Sequence, residues 1–215
     1  MIWLQQLSRR HLTVAGATVL VIAVAAFGLG VLRPWPPADT SAEAGFARDM
    51  QAAHHAQAVR MSMIVRDRTS DAETQMLAYD IALSQQQQIG QIYAWLEMWA
   101  LPQASLDPPM AWMRRGHQSM TGMKPQGLSM PGMATAAQLR QLEQANKRKA
   151  EVLFLQLKIP HHRGGVQMAQ AALNATDQPQ VRRLAASIVA AQNSELDLMR
   201  RMLTARGASD ALPAG

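Results

Sequence analysis

The feature that most constrains this chain is an internal repeat at an offset of 107 residues. His54-His55 aligns with His161-His162, Val59 with Val166 and Met61 with Met168. Downstream, Leu77-Ala78 aligns with Leu184-Ala185, Ile81 with Ile188, Gln85 with Gln192, Gln88-Ile89 with Glu195-Leu196, and Leu96 with Leu203. A period of this kind marks a duplicated structural unit. Upstream of the His pairs the register slips by one, because Phe46 meets Leu153 rather than Phe154. A one-residue helical bulge in the first copy is one way to take up the slip, and such bulges frequent functional sites.

Each copy reads as two helices. The first spans about 42–66 and meets a polar break containing Thr69, Ser70 and Asp71. The second runs about 71–100, with Leu77, Ile81, Ile89, Ile92 and Leu96 at three-to-four spacing, and stops before Pro102. In the second copy a helix to about Ala175 is followed by Thr176-Asp177-Gln178-Pro179. The last helix opens on Pro179, runs to about Ala205 and ends at Gly207. Four amphipathic helices in two hairpins must bury their stripes against one another, which predicts an all-α, up-down four-helix bundle. The expected segments are a short N-terminus (1–11), an apolar span (12–32), a Pro-rich linker (33–41), the first hairpin (42–100), a Met-rich linker (101–134), the second hairpin (135–206) and a tail (207–215).

Residues 12–32 form the uncharged run LTVAGATVLVIAVAAFGLGVL. At helical rise it covers about 30 Å, the thickness of a bilayer core. Arg9 and Arg10 precede it, and Pro34-Trp35-Pro36-Pro37 follows instead of a small-residue cleavage site. The expectation is a single-pass anchor in the lipid bilayer with a cytoplasmic N-terminus and an extracytoplasmic domain; the rival is a cleaved signal peptide. The net charge of +6 is spread along the chain without an aromatic-interleaved stripe, so a nucleic-acid partner is not expected. There is no cysteine, hence no disulfide and no thiolate site.

The chemistry-bearing residues cluster in two places. On a helix, positions i, i+4 and i+7 share a face. Met50, His54 and Met61 fall on one stripe of the first copy, and His161 and Met168 on its counterpart. Imidazole is a borderline ligand and thioether a soft one, a pairing that suits Cu(I) or Ag(I). Packed pairwise, the copies would bring both stripes into the bundle core. His55 and His162 point about 100° away and read as supporting or surface donors, with a ligand role left open. Pro160 and Gly164-Gly165 flank the second pair, the proline removing a backbone bond and the glycines permitting close approach. The second cluster is the linker, with Met110, Met113, His117, Met120, Met123, Met130 and Met133 in a Gly/Pro-rich stretch. It is either a secondary soft-metal site or a loop packed on the bundle. Gln85 to Gln88, with Gln192 and Glu195, lie on the helices facing the His pairs and read either as a solvated polar stripe or, through Gln85 and Gln192, as donors of supporting hydrogen bonds.

Enzymatic readings find little support. No Glu-x-x-His pair precedes either His pair, and no H-E-x-x-H, phosphate loop or nucleophile elbow occurs. The stretches FARDMQAAHHAQAV, LAYDIALSQQQQI, MPGMA, IPHHRGGVQMA and LAASIVAAQNSEL together resemble the domain-of-unknown-function family 305 over about residues 42–205. That resemblance implies a ferritin-like bundle, mostly exported or anchored, with members linked to copper or silver. It further implies ligands at His54, His55, Met61, His161, His162 and Met168. Lys158 stands where the family usually carries methionine before I-P-H-H, and Glu151 where aspartate is common. The expected function is copper sequestration or delivery, with copper as the bound ion and copper-handling proteins or a second copy as conceivable partners. The alternative is a non-catalytic helical-bundle interaction module without a metal.

Overall fold

The computed structural model describes residues 36–115 and 130–212. The chain divides into two units, Met1–Pro36 and Pro37–Gly215, and the second carries the helices below. The expected span 12–32 lies outside the described residues. Among the described residues, no helix is long and apolar enough to cross a membrane.

The described elements are all helical. Helix α1 (Ala42–Asp49) runs without interruption through a π-helical turn (Met50–His55) into α2 (Ala56–Arg66). Helix α3 (Ala72–Met98) returns alongside it. Short helix α4 (Ala111–Arg115) belongs to the connection, α5 (Ala136–Gln144) precedes the second hairpin, and that hairpin is α6 (Lys147–Ala175) with α7 (Pro179–Ala205). Local chemistry fixes the helix starts. Ser41 caps α1, Asp71 accepts from the Thr74 amide at the start of α3, and Thr135 with Gln138 forms a reciprocal capping box on α5. Pro179 occupies the first turn of α7, and Gly207 follows that helix with φ +64°, a left-handed conformation that glycine adopts without strain.

The π-helical turn resolves the register slip. One extra residue lies between Phe46 and His54 compared with Phe154 and His161, and the wider turn absorbs it exactly where the His pair begins. Both phenylalanines are therefore fully buried and both His pairs face inward. Helix α6 continues through Pro160. Lacking an N–H, that proline leaves one rung of the helix unmade, one turn before the glycine pair.

The core is split in two. Ala58, Met61, Val65, Phe154, Leu157 and Ile159 belong to one apolar cluster. Phe46, Met50, Met168, Ala169 and Ala172 belong to the other. Along α1–α2 the chain passes from the second cluster to the first; along α6 it passes from the first to the second. The two His-bearing helices thus run antiparallel, and their His pairs form a polar belt between the clusters.

Beyond the belt, Arg206 ties the ends of three helices together. It bonds the carboxylates of Glu151 at 3.0 Å and Asp71 at 2.6 Å, and the Thr74 hydroxyl at 3.0 Å.

Candidate metal centre

His54, His55, His161 and His162 are all fully buried. His54 and His161 meet across the two copies, with ring centroids 3.9 Å apart and planes inclined by 36°. His54 Nε2 lies 3.0 Å from the carbonyl oxygen of His161, so it carries the proton and donates. That bond fixes the tautomer and leaves Nδ1 with its lone pair. In the second copy His162 Nε2 lies 2.5 Å from Glu195 Oε2, and the carboxylate orients that ring in the same manner. The remaining ring nitrogens of His54 (Nδ1), His161 (both) and His162 (Nδ1) have no hydrogen-bond partner, whereas the Gln88 side chain lies beside His55. The side-chain oxygens of Gln85 on α3 and Gln192 on α7 are likewise buried without one.

Burial governs the charge state. It lowers His54 to a pKa of about 3, against which the bond to the His161 backbone works. His55, His161 and His162 are also held well below their ordinary value, first by burial and then by neighbouring cationic groups. All four rings are neutral at physiological pH, the state in which imidazole binds metal. Lys158 is fully buried as well. Burial lowers its amine to about 7, Glu195 pulling the other way. Glu195 is itself raised by burial, with Lys158 opposing.

Several expectations need correction here. His55 and His162 do not reach the surface; both are sealed inside the belt. Of the two readings of Gln85 and Gln192 the solvated one fails: both are 3% exposed, and Gln192 Oε1 and His54 Cε1 both crowd Gly165. The thioethers do not converge as the imidazoles do. Met50 and Met168 lie in one cluster and Met61 in the other, since antiparallel crossing sends equivalent positions to opposite sides of the belt. Among the described residues, no group of three or more His, Asp or Glu could by itself hold a metal ion. An ion in this chamber would therefore draw on thioether, amide or amine donors in addition to imidazole.

The linker is half described. Met110 and Met130 are buried in the second cluster, with Met113 and Met133 packed against it, so these four have a core to fill after all. His117, Met120 and Met123 lie outside the described residues. Residues 130–133 form a strap over α6. Gly132, at φ +75°, sits so near α6 that a Cβ there would come within 2.0 Å of the Pro160 carbonyl oxygen, and a Cβ on Gly164 would come within 2.0 Å of the Pro131 carbonyl oxygen. The strap thereby covers the turn that carries His161. Gln57 clamps its end, bonding both the N–H and the carbonyl of Ala134 at 2.8 and 2.9 Å. Asp49 holds the other half of the linker through the Met110 amide and the Trp112 indole. Sequence reasoning passed over Gln57 and Asp49, whose only local signal is a polar residue on an otherwise buried helical face. Gly165 completes the chamber: a Cβ there would stand 2.7 Å from His54 Cε1 and 2.4 Å from Gln192 Oε1.

Comparison with known proteins agrees with this architecture. The family model for a domain of unknown function, DUF305, matches residues 43–203. A candidate secreted DUF305 protein of Streptomyces coelicolor is 47% identical, covering 82% of this chain and all of its own, with a TM-score of 0.74. A DUF305 fragment from Deinococcus radiodurans is 33% identical, covering 76% of this chain and 96% of its own, with a TM-score of 0.61. The Cu(I)-bound form of CopM is 21% identical, covering 77% of this chain and 96% of its own, with a TM-score of 0.58, and at that distance shows the shared fold. No curated protein matches the sequence. The single-pass membrane placement is corrected: among the described residues no helix is long and apolar enough to cross a membrane, and the Streptomyces relative is described as secreted.

Proposed function

The chain belongs to the DUF305 family, and on that footing we propose that it binds a soft metal ion, Cu(I) first and Ag(I) as its analogue, in the buried His chamber. Its role would be to sequester or deliver that ion outside the cytoplasm, without catalysis, within a ferritin-like form of the bundle. The observation that carries the reading is the set of buried, neutral ring nitrogens left without partners. Buried polar atoms are almost always satisfied, and a low-coordinate soft ion needs only two or three neutral donors. The existence of CopM structures with Cu(I), Cu(II) and silver bound lends support at the level of the fold.

Bound here, the ion would exchange water for imidazole nitrogen and thioether sulfur in a dry interior. His54 and His162 supply oriented Nδ1 lone pairs, each fixed by its Nε2 bond. Met50 and Met168 supply the soft donors on one side of the belt. A metal-free interaction module is the competing reading, favoured by the membership of Met50, Met61 and Met168 in continuous apolar clusters. Titration of the full chain with Ag(I) decides between them. Stoichiometric binding that disappears in a His54→Ala/His161→Ala double variant supports the metal reading; no binding at micromolar silver abandons it.

A further inference from the structure

Lys158 is a buried polar residue to which metal binding by imidazole and thioether gives no task. It lies three residues before His161, fully buried, and its Nζ has no hydrogen-bond partner. It lies one helical turn before His161 on the same helix, and side chains three residues apart leave the same face.

The π-helical turn shows what this lysine replaces. Counted from the two buried phenylalanines, Lys158 follows Phe154 by four residues as Met50 follows Phe46. The repeat therefore sets an amine in the second copy where the first has a thioether. The two sides of the belt differ as a result. Met50 and Met168 share one cluster, whereas Met61 shares the other with Phe154, Leu157 and Ile159, the residues that surround Lys158 along α6.

Resting on the chamber as a metal site, we propose that Lys158 supplies an amine nitrogen to the bound ion and so widens the chamber's selectivity from monovalent toward divalent copper. Amine and imidazole nitrogens are harder donors than a thioether and suit Cu(II) better than Cu(I). Coordination requires the free amine, and burial already disfavours the ammonium form; its proton passes to solvent as the metal binds. The shortage of clustered His and carboxylate ligands in the belt is what gives an additional nitrogen its value there.

The test compares the full chain with Lys158→Met and Lys158→Leu, titrated separately with Cu(II) and with Ag(I), the redox-inert stand-in for Cu(I). Both variants should weaken Cu(II) binding by about tenfold or more and alter the nitrogen couplings in the Cu(II) electron paramagnetic resonance spectrum. Only Lys158→Met should tighten silver binding. Each variant should be at least as heat-stable as the parent without metal, because an apolar side chain replaces a buried amine, so misfolding does not mimic the result. Variants that bind Cu(II) as tightly as the parent, or tighter, with an unchanged spectrum overturn the proposal and make Lys158 a repelling cation. If silver binds the parent chain but Cu(II) does not, this proposal alone falls. If neither ion binds, the chamber reading falls and takes this one with it.

Discussion

His54 and His161, separated by 107 residues in sequence, lie ring against ring at 3.9 Å, and the Nε2–H of the first bonds the backbone carbonyl of the second. The contact joins the two copies of the repeat at their most polar point. It depends on the helical phase of each partner, which several changes can disturb.

Deleting Ala53 should convert the π-helical turn to ordinary α-helix with the Phe–His spacing of the second copy, in which Phe154 and His161 are both buried. Phe46 and the imidazoles should then still face the core together. The expected outcome is retained helical circular dichroism and a silver affinity close to the parent's. A marked loss of silver affinity would show that the widened turn itself aims His54.

Gly165→Ala tests how tightly the chamber closes. The new methyl would press on the His54 ring and the Gln192 amide, at 2.7 and 2.4 Å before any relaxation. Overpacking of this kind costs about 1–3 kcal/mol. Chemical denaturation should register that loss, and the proton resonances of the His54 ring should move. Gly90→Ala, where nothing lies within 4 Å, is the control and should be neutral or slightly stabilising.

The pH dependence follows from the lowered imidazoles. In the unfolded chain they accept protons near 6.5, whereas folded His54 does so only at about 3 and the other three well below 6.5. Between those values the unfolded state holds more protons, so stability is complete above 6.5 and is lost progressively as pH falls toward 3. Lys158 adds a separate window, with stability falling as pH drops from 10.5 to about 7. Denaturation midpoints measured from pH 9 to pH 4 should fall with pH, most steeply below 6.5. A flat profile there would mean that the rings are not buried neutral.

Arg206→Ala should destabilise the end of the bundle farthest from any proposed chemistry. The substitution leaves Glu151, a nearly buried carboxylate, without its guanidinium partner. Breaking a buried pair costs about 3–5 kcal/mol; because Asp71 and Glu73 are substantially exposed, a loss of about 2 kcal/mol is expected by the same principle. Metal affinity should not change, which separates this variant from those above.

Much of the architecture was legible in the residues because a repeat of amphipathic helices, without a gap from the His pairs onward, has few ways to bury itself. The slip at Phe46 foretold an irregular turn, and Gly207 and Pro179 marked helix ends correctly. Other features were hidden because they are tertiary. Helical phase places Met61 and Met168 on matching faces, yet cannot reveal that antiparallel crossing carries them to opposite sides of the belt. The burial of Gln85 and Gln192 depends on what α3 and α7 face. The clamp of Gln57 on Ala134 joins positions 77 residues apart with no pattern in either neighbourhood. Whether the linker methionines pack was left open by the residues alone, because the core that takes Met110, Met113, Met130 and Met133 is made by α1, α3, α6 and α7.

The complete enclosure of the four imidazoles has a kinetic meaning. No rotamer change at the surface can uncover them, since helices of both hairpins and the strap at residues 130–133 cover the belt. A guest held there could escape only when the bundle itself loosens, so its residence time would follow the opening rate of the hairpins and not the strength of any single bond. Rapid exchange would then call for an acceptor able to pry the strap from Pro160.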